Sequence, residues 1–187
     1  MCLYTREKRK IATEDILCYK VLLHDMSGGY YVSPYARTYK WDINGGKIVS
    51  AKGKISCEPL REFDAVGNPG PYITSEKTRT VNEGCFHTFK SFSDAVRFAK
   101  YDSPLAKWDT DYEMEIFECV IPKGTVYYHG MFKPYVGLDI DYLFEYGSES
   151  YASKKLILKS VRKVTGFEFN KIVLPPIHIL DMPDMVI

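Results

Sequence analysis

The chain has 187 residues, with 25 basic and 24 acidic side chains, 45% hydrophobic and 14% aromatic residues, and 15 tyrosines. That length suits one globular domain burying roughly 70% of its unfolded surface, and the apolar share excludes wholesale disorder. A net charge of +1 gives no support to a general nucleic-acid or polyanion binder, which carries a basic excess.

In chain order, the first strong strand is Ile16–Leu23, a short apolar run followed by the turn cluster Asp25-Met26-Ser27-Gly28-Gly29. Tyr30-Tyr31-Val32 is expected to pair back on it as a hairpin, which Pro34 ends. Lys47–Ser50 and Lys54–Cys57 read as short strands near the turn Asn44-Gly45-Gly46. Gly67–Pro71 is the densest breaker cluster and predicts a loop. Gly84–Phe89 then reads as a strand, with Ser91 or Ser93 as the N-cap of an amphipathic helix over 92–101. Its apolar positions Phe92, Ala95, Val96 and Ala99 recur at helical spacing. Met114–Ile121 is the strongest strand, and Pro122-Lys123-Gly124 predicts a turn that brings Thr125–His129 back beside it. Tyr151–Ser153 and Lys155–Val161 are further strand candidates.

Eight to ten closely spaced strands with one or two helices predict an α+β domain, built on a mainly antiparallel, twisted sheet. The reading places this single domain over residues 1–170. Residues 171–187 form an apolar tail broken by Pro175, Pro176 and Pro183, expected to pack on the domain or on a partner.

Five scattered cysteines, Cys2, Cys18, Cys57, Cys85 and Cys119, share no C-x2-C spacing and form no disulfide framework. They read as reduced thiols. The basic start Arg6–Lys10 leads into no apolar segment of signal-peptide type, and no stretch is long enough to span a membrane. The expected location is the cytoplasm.

No phosphate-binding glycine loop, nucleophile elbow or helical metal motif occurs. No cofactor and no metal is expected. Among four histidines, His87 lies in a strand just before the predicted helix, whose N-terminus could cradle an anion; a surface histidine explains it equally. Cys85 and His87 share a strand face without an orienting third group. Asp139, Asp141 and Glu145 could bind a hard cation or line a solvated face. Lys154, Lys155, Lys159, Arg162 and Lys163 form a local basic stretch that solvation accounts for. His87, Tyr128 and Ser153 are the candidate binding residues; no catalytic residue is assigned.

Ile16–Val21, Tyr31–Tyr35, Gly84–Lys90 with the Asp94-Ala95 helix, Glu118–Tyr128 and Tyr151–Leu158, in that order, resemble a group of small proteins of gut bacteria, prophages and phages that have no assigned activity. The resemblance covers most of residues 1–165. It implies a phage or mobile-element origin, a compact domain and a reducing bacterial cytoplasm, and transfers no catalytic residue. The expectation is a non-enzymatic binding, structural or virion-associated protein with protein partners or self-association and no membrane partner. Tyrosines at strand ends and in loops would supply its contact surface. The alternative is a nucleotide- or NAD-directed enzyme, such as a divergent ADP-ribosyltransferase-like domain using His87, Tyr128 and Ser153.

Overall fold

A computed structural model of the chain describes residues 3–34, 40–41, 43, 46–63, 69–102, 112–132 and 147–162. The apolar run that opens the sequence becomes β3 (Ile16–Asp25), preceded by β1 (Leu3–Thr5) and β2 (Lys10–Ile11). There follow β4 (Tyr30–Val32), β5 (Lys40–Trp41), β6 (Ile48–Ser50), β7 (Cys57–Phe63), β8 (Pro69–Val81) and β9 (Phe86–Phe89). After the helix α1 (Phe92–Arg97) and one π-helical turn (Phe98–Asp102) come β10 (Tyr112–Ile121), β11 (Val126–Phe132), β12 (Ser148–Ser153) and β13 (Lys155–Arg162). The fold is sheet-dominated: all strand pairs among the described residues are antiparallel, and one short helix accompanies them.

The strand order is β6-β13-β10-β3-β9-β12-β11-β1-β8-β7, with β4 and β5 extending β3 and β2 added to β11. The sheet bends between β3 and β9, where only Tyr19 and Phe89 pair. Its two halves then face each other across one core. Cys18, Leu22, Phe117, Cys119, Leu156 and Leu158 from the first half meet Phe86 and Tyr151 from the second, together with Trp41. The opposite face of β3, Tyr19 and Val21, is covered by Ala95, Val96, Phe98 and Ala99 of the helical segment. Burial on both faces explains why β3 reads as continuous apolar sequence rather than as an alternation.

The predicted β3–β4 hairpin forms, with His24 opposite Tyr31. Asp25 closes its turn by accepting from the backbone of Ser27 and Gly28 at 2.9 and 2.8 Å and from the Ser27 hydroxyl at 2.7 Å. The predicted helix also forms but ends earlier as an α-helix. Ser91 is its N-cap, accepting from the Asp94 backbone N–H at 3.1 Å.

Three expectations are corrected. Lys54–Cys57 is not a strand of its own: β7 begins only at Cys57, where pairing with β8 starts. Thr125–His129 does not return beside Met114–Ile121: β10 lies between β3 and β13, and β11 between β12 and β1. The segment from β2 into β3 pairs β2 with β11 and β3 with β10, and β13 takes the other edge of β10, so no edge of β10 is left for β11. At this corner Ala12 donates to the Thr125 carbonyl at 2.9 Å, Gly124 to the Ala12 carbonyl at 2.8 Å, and Lys123 N–H to the Asp15 carboxylate at 2.8 Å. The chain between β12 and β13 crosses the same corner, with Lys154 N–H donating to the Val126 carbonyl at 2.9 Å. The predicted loop at Gly67–Pro71 gives way to strand from Pro69 onward. Prolines are tolerated there because β7–β8 is the outermost ladder and its register shifts at three places.

Candidate functional site

Strand register decides how the three sequence candidates meet. His87 lies opposite Ala152, and Ala152 opposite Tyr128. His87 and Tyr128 therefore share one face of the second half-sheet, separated by a single methyl group. Ser153 is one residue further on and faces the other way. Its hydroxyl is fully buried and donates to the Lys155 carbonyl at 3.1 Å. The structure brings two of the three together and turns the third into the opposite layer.

The sulfur of Cys85 lies 3.4 Å from His87 Nε2, and the Asn82 carbonyl lies 3.3 Å from the same nitrogen. Burial, with nearby positive charge including Lys20, pushes the imidazole down to about 3, so it is neutral at physiological pH. According to its tautomer, the neutral imidazole either accepts from the thiol or donates to the Asn82 carbonyl through Nε2. Among the described residues nothing bonds Nδ1 to orient the ring, so the pair lacks the third member of a nucleophilic triad. The anion cradle is filled from within: Asp94 sits in the first turn of α1, accepts from the Ser91 hydroxyl at 2.7 Å and pairs with Arg97 at 3.1 Å. Tyr128 is buried with Leu3, Val81 and Ala152, near Cys57 and Cys85. Burial raises its hydroxyl pKa, and Cys57 adds to the effect.

On the inner face, Lys20 lies between Cys18 and Leu22 and opposite Phe117. It is 5% exposed. Its ammonium donates to the His87 carbonyl at 2.9 Å and sits 5.3 Å from the centre of the Trp41 ring. Desolvation pushes its pKa down to about 8. The same burial raises Cys18 to about 12 and Cys119 well above its usual value, which makes both thiols unreactive. The described cysteines, Cys18, Cys57, Cys85 and Cys119, are all free.

At the rim of that face, β3, β4 and β10 bring together His24, Tyr31, Glu113 and Glu115. His24, Glu113 and Glu115 offer ligand atoms that all lie within 4.8 Å of one another. Sequence reading missed this group because His24 and Glu113 are far apart along the chain and share no motif. The alternating charges at 113 and 115 were the one signal of it. Asp139, Asp141, Glu145 and the tail 171–187 lie outside the described residues.

Two sequence features take on structural roles. Lys154 donates to the carbonyls of Ala51 and Gly53, and to that of Gly84 at 3.5 Å, while Arg162 stacks 3.7 Å over the Phe92 ring. Two of the five basic residues of that stretch, Lys154 and Arg162, are thus engaged with the protein itself, while Lys155 and Lys159 are exposed. None of the tyrosines with a described side chain is fully exposed, and Tyr19, Tyr128 and Tyr151 are buried. Tyr30, Tyr31 and Tyr127 are half-buried, and Tyr35, Tyr39, Tyr135, Tyr142 and Tyr146 lie outside the described residues.

In the β7–β8 hairpin, Val81, Thr80 and Arg79 pair with β1, and the outer ten residues of β8 pair only with β7 among the described strands. Its outer pairs are Leu60–Ser75, Arg61–Ile73 and Phe63–Pro69. Among the described residues, no helix is long and apolar enough to cross a membrane. Compared with known proteins, the chain matches no family model, no curated protein and no solved structure.

Proposed function

We propose that this chain is a non-enzymatic binding protein of phage or prophage type, which engages a protein partner or a second copy of itself through the β7–β8 arm. One observation carries the reading: among the described residues the outer part of β8 pairs with β7 alone, while its last three residues also pair with β1. Unpaired strand edges are templates for association, and bulges and prolines restrict which partners can add to them. Pro59, Pro69 and Pro71 lie in this hairpin and remove backbone donors at those positions.

The test replaces residues 61–75 with a short glycine–serine turn. Sedimentation measures self-association over a concentration series, and cross-linking in the producing cells measures contacts to other proteins. The expected result is an unchanged body by circular dichroism with association lost. Association retained at full strength overturns the reading. The alternative, a nucleotide- or NAD-directed enzyme, draws on the 3.4 Å contact of Cys85 with His87. It requires that His87→Ala abolish nucleotide binding or turnover while the fold persists.

A further inference from the structure

We propose that the rim of the β3–β10 ladder is a divalent transition-metal site whose protein ligands are His24, Glu113 and Glu115. Backbone register builds it. Glu113 lies directly opposite His24, Glu115 lies two residues along the same strand, and an antiparallel pairing without shifts puts all three on one face.

The spacing is that of an ion pair or of two ligands on one ion. His24 Nδ1 and Glu115 Oε1 face each other at 3.8 Å, too far for a hydrogen bond. Two ligands on a tetrahedral ion, with bonds of about 2.0–2.1 Å, lie about 3.4 Å apart, so the His24–Glu115 pair must close by a few tenths of an ångström, and Glu113, within 4.8 Å of the other two, closes the rest by rotation of its exposed side chain. Tyr31, from a third strand, supplies an orienting shell. It stacks on the His24 ring with centroids 4.4 Å apart and planes within 6°, and donates to Glu115 Oε2 at 2.9 Å. Phe117 in turn packs edge-on against Tyr31 at 5.2 Å. This outer shell holds Oε2 and leaves Oε1 turned toward His24, as second-shell groups do around bound metals.

The Glu113 carboxylate completes the set and has no hydrogen bond or ion pair among the described residues. Two carboxylates two positions apart on one strand face repel each other, and a dication between them and the imidazole removes that repulsion. The glutamate at 113 is exposed while His24 and Glu115 are half-buried, so an ion can enter from solvent. One imidazole and two carboxylates suit zinc, manganese, iron(II), cobalt or nickel. Calcium prefers six to eight oxygens, and magnesium keeps most of its water. Three protein ligands leave a position open for water or an anionic ligand.

The test is a calorimetric titration of Zn2+ into the whole chain after chelator treatment, with Mg2+ and Ca2+ as separate arms. One saturable Zn2+ site is expected, and no comparable binding of Mg2+ or Ca2+. Glu113→Gln, an exposed change that leaves the fold intact, should weaken Zn2+ binding at least about tenfold, and His24→Gln more. Tyr31→Phe keeps the stack but frees Glu115 Oε2, and should weaken binding about tenfold, the scale of a second-shell loss. Co2+ substitution reads the donor set directly: ligand-field bands without thiolate charge transfer support the assignment. Absent or unsaturable binding, binding unchanged in both Glu113→Gln and His24→Gln, or a thiolate band overturns it.

Discussion

The body of the sheet and its β7–β8 arm are both antiparallel, yet they are held in different ways. In the body, β3 and β10 pair over ten consecutive residues without a shift, and cores cover both faces of β3. In the arm, the register of β7 on β8 shifts at three places. A one-residue slip in the body would turn Cys18, Lys20 and Leu22 out of the core, so packing enforces register there. Along the outer arm the pairing among the described residues is with the partner strand alone, and that pairing carries bulges. The body is therefore expected to be intolerant of change, and the arm tolerant in stability but sensitive in association.

The largest expected effect lies at two glycines where the body's backbones touch. A Cβ at Gly130 would stand 2.1 Å from the Tyr4 carbonyl oxygen, and one at Gly84, whose φ is +68°, would stand 2.0 Å from that of Lys54. Gly130→Ala and Gly84→Ala should each cost about 3 kcal/mol or more in urea unfolding, because backbone must move against backbone. A cost below about 1 kcal/mol would break the contrast with the arm.

Lys20 comes next. Its pKa is about 8 in the folded chain against 10.5 for an ordinary lysine, so the unfolded chain binds more protons between these values. Stability should rise with pH across that window by about 3 kcal/mol, and the full cost of burying the charge is present below pH 8. Lys20→Met should raise stability near pH 7 by about 2 kcal/mol, the lost bond to the His87 carbonyl offsetting part of the gain, and should flatten the rise. Unfolding measured from pH 7 to 11 checks both; a destabilised Met variant with the same pH slope would show that the ammonium is not the cause.

For His87 the folded pKa of about 3 lies below the ordinary 6.5, so the unfolded chain takes up the proton first. Stability is fully present above pH 6.5 and falls as pH drops toward 3, by about 2 kcal/mol after solvent screening of a partly exposed ring. His87→Gln should remove that portion of the acid limb in a pH series. The smallest effect belongs to the arm: replacing residues 61–75 should change unfolding stability by less than about 1 kcal/mol. A larger loss would mean the arm is part of the body after all.

Local sequence was legible where local forces decide. The β3–β4 hairpin follows from its Asp-Met-Ser-Gly-Gly turn, and α1 from the Ser91 cap and the spacing of Ala95 and Val96. The Pro122-Lys123-Gly124 turn was also visible, but not that the strand after it leaves β10 for the other half of the sheet. That choice rests on β3 and β13 occupying both edges of β10, pairings with residues about a hundred and about forty positions away. The candidate sites divide in the same way. The Cys85–His87 proximity is a property of one strand end, and both residues were singled out. The separation of Ser153 from His87 and Tyr128 depends on register between strands, and so does the meeting of His24 with Glu113 and Glu115.

The sequence by itself determined a sheet-rich chain of short strands, several of its turns, the helix after β9 and cysteines that form no disulfide framework. Only the tertiary structure decided which strands are neighbours, which side chains share a face and where charge is buried. The physical reason is range. Turn chemistry, capping and hydrophobic spacing act within a few residues, whereas antiparallel register is set by packing between segments far apart in the chain. A one-residue difference in that register exchanges core for surface.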